Sequence, residues 1–313
     1  MIRIENYSVL KKEEWNTFNK TSKNSLFMFD RDYMDYHSDR FQDNSLMFYK
    51  EDKLVALLPM NIKDNALFSH GGLTYGGFIT DEKMHQEIML ECFDALRDYC
   101  KQCAITRVVY KSIPYIYYSQ PAQEDRYALF LYGAKLLKTE ASTVINLNSP
   151  IKMATLRRRQ AKKAKKIGVQ IQLCSQRSDF ECYIDILNEV LGEYHNVKAV
   201  HTADELFLLY TRFPNNIQLY IAYFENKPVA GTVLFVYDDV IHTQYLASND
   251  VGRSLGALDL IIDNVIEIYK TSKKYLDFGI STENSGRVLN EGLISQKEGF
   301  GGRTVTYETW SLE

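Results

Sequence analysis

The chain has 313 residues, 45% of them hydrophobic, with six prolines and no low-complexity tract, so it can bury a full core as one large or two ordinary domains and is not a disordered protein. No apolar run approaches the roughly 18 residues of a membrane span, and the start "MIRIENYSVLKKEEW" has no apolar signal region, so a cytoplasmic protein without a membrane span is expected. The net charge of −3 hides a segregation: Ala141 to Ser178 holds nine basic residues and no acidic one, which leaves −12 for the rest.

In chain order, "SLMFYKEDKLVALLPM" (Ser45 to Met60) reads as two strands joined by a polar turn. "ALFSH" gives a third strand, a glycine-containing loop follows, and Met84, Ile88, Cys92, Ala95 and Tyr99 form the apolar stripe of a long helix. "ITRVVYKS" closes the unit with a buried-looking strand. The five cysteines include "CKQC" (Cys100 to Cys103), but no second Cys or His pair completes four zinc ligands, so neither a metal site nor a disulfide is expected. "PYIYYSQPAQEDRY" suits sugar stacking and a packed loop equally.

A boundary is expected near "NSP", giving domains 1–148 and 149–313, with a cleft between them as the default ligand site. The next stretch, "PIKMATLRRRQAKKAKKIGV", reads as a helix with Met153, Leu156, Ala164 and Ile167 on its apolar face. Eight of the sixteen residues from Lys152 to Ile167 are basic, and their mutual repulsion favours an anionic partner: substrate phosphates, or a transfer RNA backbone. Interleaved aromatics for base stacking are missing, and no DNA-reading module is present.

The first pattern then recurs. "IQLYIAYFENKPVAGTVLFV" (Ile217 to Val236) repeats the paired strands, Lys227-Pro-Val-Ala matching Lys53-Leu-Val-Ala at an offset of 174. "VIHTQYLAS" repeats the third strand, Leu255, Leu258, Ile262, Val265 and Tyr269 the helix stripe, and "KYLDFGIS" the closing strand. Two similar α+β domains with mixed sheets follow from this duplication.

Between the third strand and the helix lies "GRSLG". It matches a hydrolase nucleophile elbow, but the last histidine, His242, precedes Ser254, which excludes the required order. Read as Arg253-x-x-Gly256-Ala257 opening a helix, the same residues offer free amides and an arginine to a pyrophosphate. His242 is the side chain on the third strand that titrates near neutrality and is the candidate proton acceptor. Tyr245, three residues on, should point to the opposite face and is its substitute. Near the end, "ISQKEGFGGRTV" contains no phosphate-loop motif and reads as a turn into a last strand that carries Lys297.

The order of elements, with Arg-x-x-Gly-Ala between third strand and helix, resembles the GNAT superfamily of N-acyltransferases. The duplication, the basic helix opening the second half and the ending "LDFGIS…QKEGFGG" resemble its FemABX group more specifically. That resemblance implies two tandem GNAT-like domains, an acyl-CoA co-substrate such as acetyl-CoA, no metal, and oxyanion stabilisation by backbone amides where strands splay. It places Lys297 at the site of acyl transfer, although Gln296 stands where the family has an aromatic residue. Arg253, Gly256 and Ala257 are then the candidate donor-binding set, and His37, Arg40, Tyr75 and Lys111 from the first half with Arg158 from the basic helix are the candidate acceptor contacts.

The function this implies is transfer of an acyl group onto the amine of a sugar, carried on a nucleotide or lipid precursor in the biosynthesis of a cell-envelope polysaccharide. The alternatives are an aminoacyl-tRNA-dependent peptidoglycan-bridge aminoacyltransferase and a non-catalytic ligand-binding protein. The chain lacks the charged helical hairpin that some aminoacyl-tRNA users carry, which moves weight toward a CoA donor.

Overall fold

The computed structural model describes residues 1–195 and 199–313, without the side chains of 193–195. It divides into two compact units. The first is Met1–Glu140 with Thr282–Val288 and Thr306–Glu313, and the second is Ala141–Ser281 with Leu289–Val305.

The first unit runs β1 (Ile2–Asn6), α1 (Lys12–Thr21), α2 (Arg31–Met34), β2 (Leu46–Lys50), β3 (Lys53–Leu58), β4 (Asn61–Lys63), β5 (Ala66–Phe68), β6 (Ile79–Thr80), α3 (Gln86–Gln102), β7 (Arg107–Lys111) and α4 (Glu124–Leu131). Strand β8 (Lys135–Asn146) then crosses the boundary in sequence. The second unit holds α5 (Thr155–Lys166), β9 (Gln170–Cys174), α6 (Arg177–His195), α7 (Ala203–Arg212), β10 (Ile217–Phe224), β11 (Lys227–Val236), β12 (Val240–Ser248), α8 (Asp250–Leu255), α9 (Ala257–Tyr269) and β13 (Tyr275–Ile280). The short β14 (Thr282–Glu283) and β15 (Val288–Leu289), α10 (Glu291–Glu298) and β16 (Arg303–Leu312) complete the chain.

The repeat extends to backbone detail. Glu51 and Asp52, in the β2–β3 turn, both have positive φ (49° and 60°), and so do Glu225 and Asn226 (49° and 61°) between β10 and β11. Two successive left-handed residues match the twist of flanking strands, and acidic or amide side chains tolerate that conformation. A bulge interrupts both hairpins, at Phe48/Tyr49 and at Ala222/Tyr223, again 174 residues apart.

The copies part at the third strand. In the second unit β12 pairs antiparallel with β11 and parallel with β13, so the sheet order is β8-β13-β12-β11-β10-β9. In the first, β3 pairs with β6, while β5 joins β4 through its own tight turn and runs parallel to β7. The expected three-strand meander of the first copy is therefore split between two sheets, with Asp64 and Asn65 (φ 49° and 55°) forming the extra turn.

Helix α3 buries Met89, Cys92, Phe93 and Leu96, with Ile88, Ala95 and Tyr99 at the margins and Met84 ahead of the helix. On α5 the apolar face also differs from expectation. Ala161 and Ala164 are buried and Met153 packs at the edge, whereas Leu156 is 55% exposed. The reason is polar: Arg157, four residues before Ala161, pairs with the buried Asp259 of α9 at 3.0 Å and lies over the Phe300 ring. Methyl-sized side chains at 161 and 164 let α5 approach α9 closely enough for that pair.

Candidate functional site

Strands β12 and β13 pair over Val240↔Tyr275, Ile241↔Leu276 and His242↔Asp277, and pair no further. Beyond that point β12 continues along β11 to Ser248, while β13 shifts register against β8 and reaches Ile280↔Ser142. The two strands thus part immediately after His242 and Asp277.

Asp277 is fully buried. Its Oδ1 accepts from Ser142 Oγ (2.6 Å) and from the Gly279 amide (2.9 Å), and its Oδ2 lies 3.1 Å from His242 Nδ1. Asp277 Oδ2 is thus placed to accept the Nδ1–H of His242, the tautomer that leaves Nε2 as the basic nitrogen. Gly279 has φ +71°, and a Cβ there would stand 3.3 Å from His242 Cε1, so glycine serves both the conformation and the ring's seat.

Lys297 completes the cluster from the last turn of α10. Gln296-Lys297-Glu298 is helical rather than a turn, and only Gly299 to Gly302 lead into β16. Lys297 is 6% exposed, and its Nζ donates to the Gly279 carbonyl (2.9 Å) and the Ile280 carbonyl (2.7 Å). Burial pushes its pKa down to about 8, opposed by the negative charge of Asp277. It therefore stays protonated at neutral pH.

Tyr245 lies on the same face as His242, not the opposite one. The register jumps from Val233↔Tyr245 to Leu234↔Thr243, which leaves Gln244 as an extra residue and resets the alternation of side chains. The Tyr245 hydroxyl is 2.6 Å from His201 Nδ1. The Gln244 Oε1 is buried with no hydrogen-bond partner among the described residues.

Arg253 and Gly256 sit at the α8–α9 junction. Arg253 donates to the Ser248 carbonyl at 2.7 Å and pairs with Asp250. Gly256 takes φ +78°, and a Cβ there would approach the Gln160 backbone oxygen of α5 to 2.9 Å, so its openness seats the basic helix. Ala257 is buried in the first turn of α9. From α5, Lys163 Nζ donates to the Ser254 carbonyl at 2.8 Å, which brings a second cation to this junction. Arg158 is exposed and folds back on the Met153 carbonyl.

The remaining candidates belong to the first unit. Arg40 is exposed. His37 is buried, stacked between Tyr36 (4.2 Å) and His70 (5.3 Å), and burial lowers its pKa. The buried Tyr75 hydroxyl lies 2.7 Å from those of Tyr117 and Tyr307. Lys111, at the end of β7, donates to the carbonyls of His70 (3.2 Å) and Leu73 (2.7 Å), and burial pushes its pKa down to about 8.

These bonds separate the two copies chemically. Past the β5–β7 pairing, residues 69–78 bond back to β7: the Ser69 amide donates to the Val109 carbonyl, the Gly76 amide to the Lys111 carbonyl, and the Lys111 side chain ties down the loop. Past the β12–β13 pairing the corresponding position holds His242, Gly279 and Lys297.

Two residues of this cluster escaped the sequence reading, Ser142 and Asp277, while Lys163 was read only as part of the basic helix. Asp277 carried a signal, since an acid inside the apolar strand "YLDFGI" needs a buried partner. Among the described residues no helix is long and apolar enough to cross a membrane.

Residues 152–284 match the family model of the acetyltransferase (GNAT) domain. No curated protein matches the sequence. Among solved structures the chain is similar to FemX, at 9% identity and TM-score 0.68 over 97% of this chain and 96% of that one. It is also similar to L-PGS from Bacillus licheniformis, at 14% identity and TM-score 0.65 over 98% and 92% of the two chains. A tandem GNAT protein from the clavulanic acid biosynthesis pathway aligns over 99% and 98%, at 10% identity and TM-score 0.54. Residues 152–284 are therefore similar to a GNAT acetyltransferase domain, and the whole chain shares the fold of FemX and of the tandem GNAT protein.

Proposed function

We propose that the second unit is an N-acyltransferase that moves an acyl group from acyl-CoA, acetyl-CoA being the simplest donor, to the amine of a sugar in a nucleotide- or lipid-linked precursor of a cell-envelope polysaccharide. The observation that carries this reading is the parting of β12 from β13 directly after the His242–Asp277 pair. There a basic imidazole nitrogen, strand backbone released from pairing and a buried cation are gathered around Gly279.

The acceptor amine attacks the thioester carbonyl and forms the new C–N bond. His242 Nε2 takes the amine's proton, directly or through water, and the C–S bond then breaks, its electron pair leaving with the CoA sulfur as a thiolate that is protonated by the imidazolium or by solvent. Lys297 and the released backbone amides oppose the charge that develops on the carbonyl oxygen. Tyr245, brought to the same strand face, is the second proton-handling group. Arg253 and Lys163 meet the donor's diphosphate, and Gly256 and Ala257 shape the loop that holds them. The exposed Arg158 is the candidate acceptor contact of the second unit, and Arg40, His37, Tyr75 and Lys111 are those of the first.

A second reading, transfer from an aminoacyl-tRNA, is favoured by the solvent-facing row Arg158, Arg159, Lys162, Lys165 and Lys166 on α5.

The test is thiol release from acetyl-CoA and longer acyl-CoAs in the presence of amino sugars and their nucleotide-linked forms. Turnover that disappears in His242→Gln and Lys297→Ala supports the proposal and eliminates a purely binding role. Saturating acyl-CoAs that neither raise the melting temperature nor protect against proteolysis overturn the donor assignment. Filter retention of charged tRNA that falls steeply with salt, and vanishes on charge reversal at Arg158 and Arg159, would transfer the assignment to the second reading.

A further inference from the structure

The first unit contains a cavity of about 210 Å³ that plays no part in the chemistry above. Its walls are Phe93 and Leu96 of α3, Ile105 and Val108 at the start of β7, Tyr132 after α4, and Leu312 near the end of β16. The volume exceeds the roughly 150 Å³ of an engineered apolar cavity that takes up benzene. The interior offers an aliphatic or aromatic group much to contact and almost nothing to bond.

The mouth is cationic: Arg97, Lys101 and Arg107 all line it. They are not equivalent. Arg97 is engaged by Asp94 at 2.8 Å and lies over the Tyr132 ring, and Lys101 has Asp98 at 3.8 Å. Arg107 is exposed, donates its Nε to Ser311 Oγ at 2.9 Å, and forms no ion pair among the described residues. The acid at the mouth, Glu313, has Lys135 at 3.6 Å. An apolar slot of this size with an uncommitted guanidinium at its opening fits a ligand that has an aliphatic body and one planar anionic end, because a guanidinium binds a carboxylate through two parallel hydrogen bonds.

We propose that this cavity binds a medium-chain carboxylate, with its hydrocarbon chain against Phe93, Leu96, Ile105 and Val108 and its carboxylate on Arg107, assisted by Lys101. This site is independent of the acyl-transfer reading and can be tested without any turnover assay.

Calorimetric titration of the full chain with hexanoate, octanoate and decanoate should show affinity rising about fourfold per added methylene until the slot is full. Decanol, with the same chain and no charge, should bind at least tenfold more weakly than decanoate. Arg107→Gln, an exposed substitution that leaves the core intact, should reduce decanoate to the level of decanol. Cys100 lines the cavity and Cys103 is exposed, so decanoate should slow alkylation of Cys100 while leaving Cys103 unchanged, read by mass spectrometry. Absence of saturable decanoate binding overturns the proposal. So do equal affinities for decanoate and decanol, an Arg107→Gln variant indistinguishable from wild type, or unprotected Cys100.

Discussion

Asp277 and Lys297 hold the same residue by its two ends: Asp277 Oδ1 accepts the Gly279 N–H at 2.9 Å, and Lys297 Nζ donates to the Gly279 carbonyl at 2.9 Å. A glycine with φ +71° is thereby fixed beside His242 by one anion and one cation. Lys297→Met keeps the side chain's bulk but leaves the carbonyls of Gly279 and Ile280 without their donor. The expected loss is about 1–3 kcal/mol in chemical denaturation. If Lys297 also stabilises the oxyanion, turnover falls by about 10²-fold or more while KM for the acyl donor stays close to wild type. Equal falls in stability and activity with a matching rise in KM would reduce Lys297 to a structural prop.

The two buried lysines each contribute stability that rises with alkaline pH. Lys111 and Lys297 titrate near pH 8 in the fold, each lowered first by desolvation, against about 10.4 when unfolded. Above pH 8 the folded protein has shed protons that the unfolded chain still holds, so unfolding takes up protons and stability increases with pH. The gain is at most about 1.4 kcal/mol per pH unit for each lysine, and it is lost as pH falls through 8. Cys92, Cys100, Cys174 and Cys182, whose thiols desolvation raises, act oppositely from about pH 8.5, and buried tyrosines such as Tyr110 and Tyr183 do so above about pH 10. Urea denaturation between about pH 8 and 9.5 should show that stability changes less favourably with rising pH in either lysine-to-methionine variant than in the wild type, the difference being the lysine's contribution.

His242→Gln and Asp277→Asn separate the base from the group that orients it. Removing the base should lower kcat by about 10² to 10⁴. In Asp277→Asn the ring remains, but the carboxylate that fixes its tautomer is gone, so kcat should fall while CoA binding is retained. Unchanged kcat in either variant would shift the proton transfer to Tyr245.

The Arg157–Asp259 pair tests how α5 is anchored. Arg157→Ala strands a carboxylate that desolvation already pushes above its ordinary pKa, and should cost about 3 kcal/mol. The double substitution Arg157→Met, Asp259→Leu should recover most of that loss, since it removes both charges together. Thermal denaturation of the two variants decides whether the pair is a net stabiliser or an orientation device.

Gly256→Ala should destabilise by about 1–2 kcal/mol, since it adds a Cβ at φ +78° facing the Gln160 carbonyl oxygen. Because the added methyl wedges α5 from the α8–α9 junction, the salt-dependent part of CoA binding should weaken with it. Normal CoA affinity in a destabilised protein would detach Lys163 from the donor site.

The duplication could be read from residue spacing because its causes are local. Charged turn residues, alternating apolar strands and an amphipathic helix repeat with the same offset that the left-handed turn residues and bulges keep. What spacing could not carry was everything decided by register. The extra residue at Gln244 cancels the parity argument that sent Tyr245 to the far face. Asp64 and Asn65 make a turn that diverts the first copy's third strand into another sheet. The apolar seam of α5 was misassigned because Arg157 is drawn inward by an acid a hundred residues away in sequence. His242 and Lys297 were identifiable as candidates by chemistry and family likeness. The buried relay from Ser142 through Asp277 needed the fold to assemble it.

The division of the chain bears on the order in which the protein can be finished. The first unit is nearly all encoded before residue 141, yet β7 in that unit pairs with Thr309 to Leu312, and its remaining pieces lie at 282–288 and 306–313. The second unit needs nothing beyond Val305. As the polypeptide emerges from the ribosome, the unit that starts later therefore has its full set of residues sooner, and the unit that starts first must wait with a strand edge unpaired. A fragment ending near residue 148 should for that reason be aggregation-prone, whatever its own core contributes.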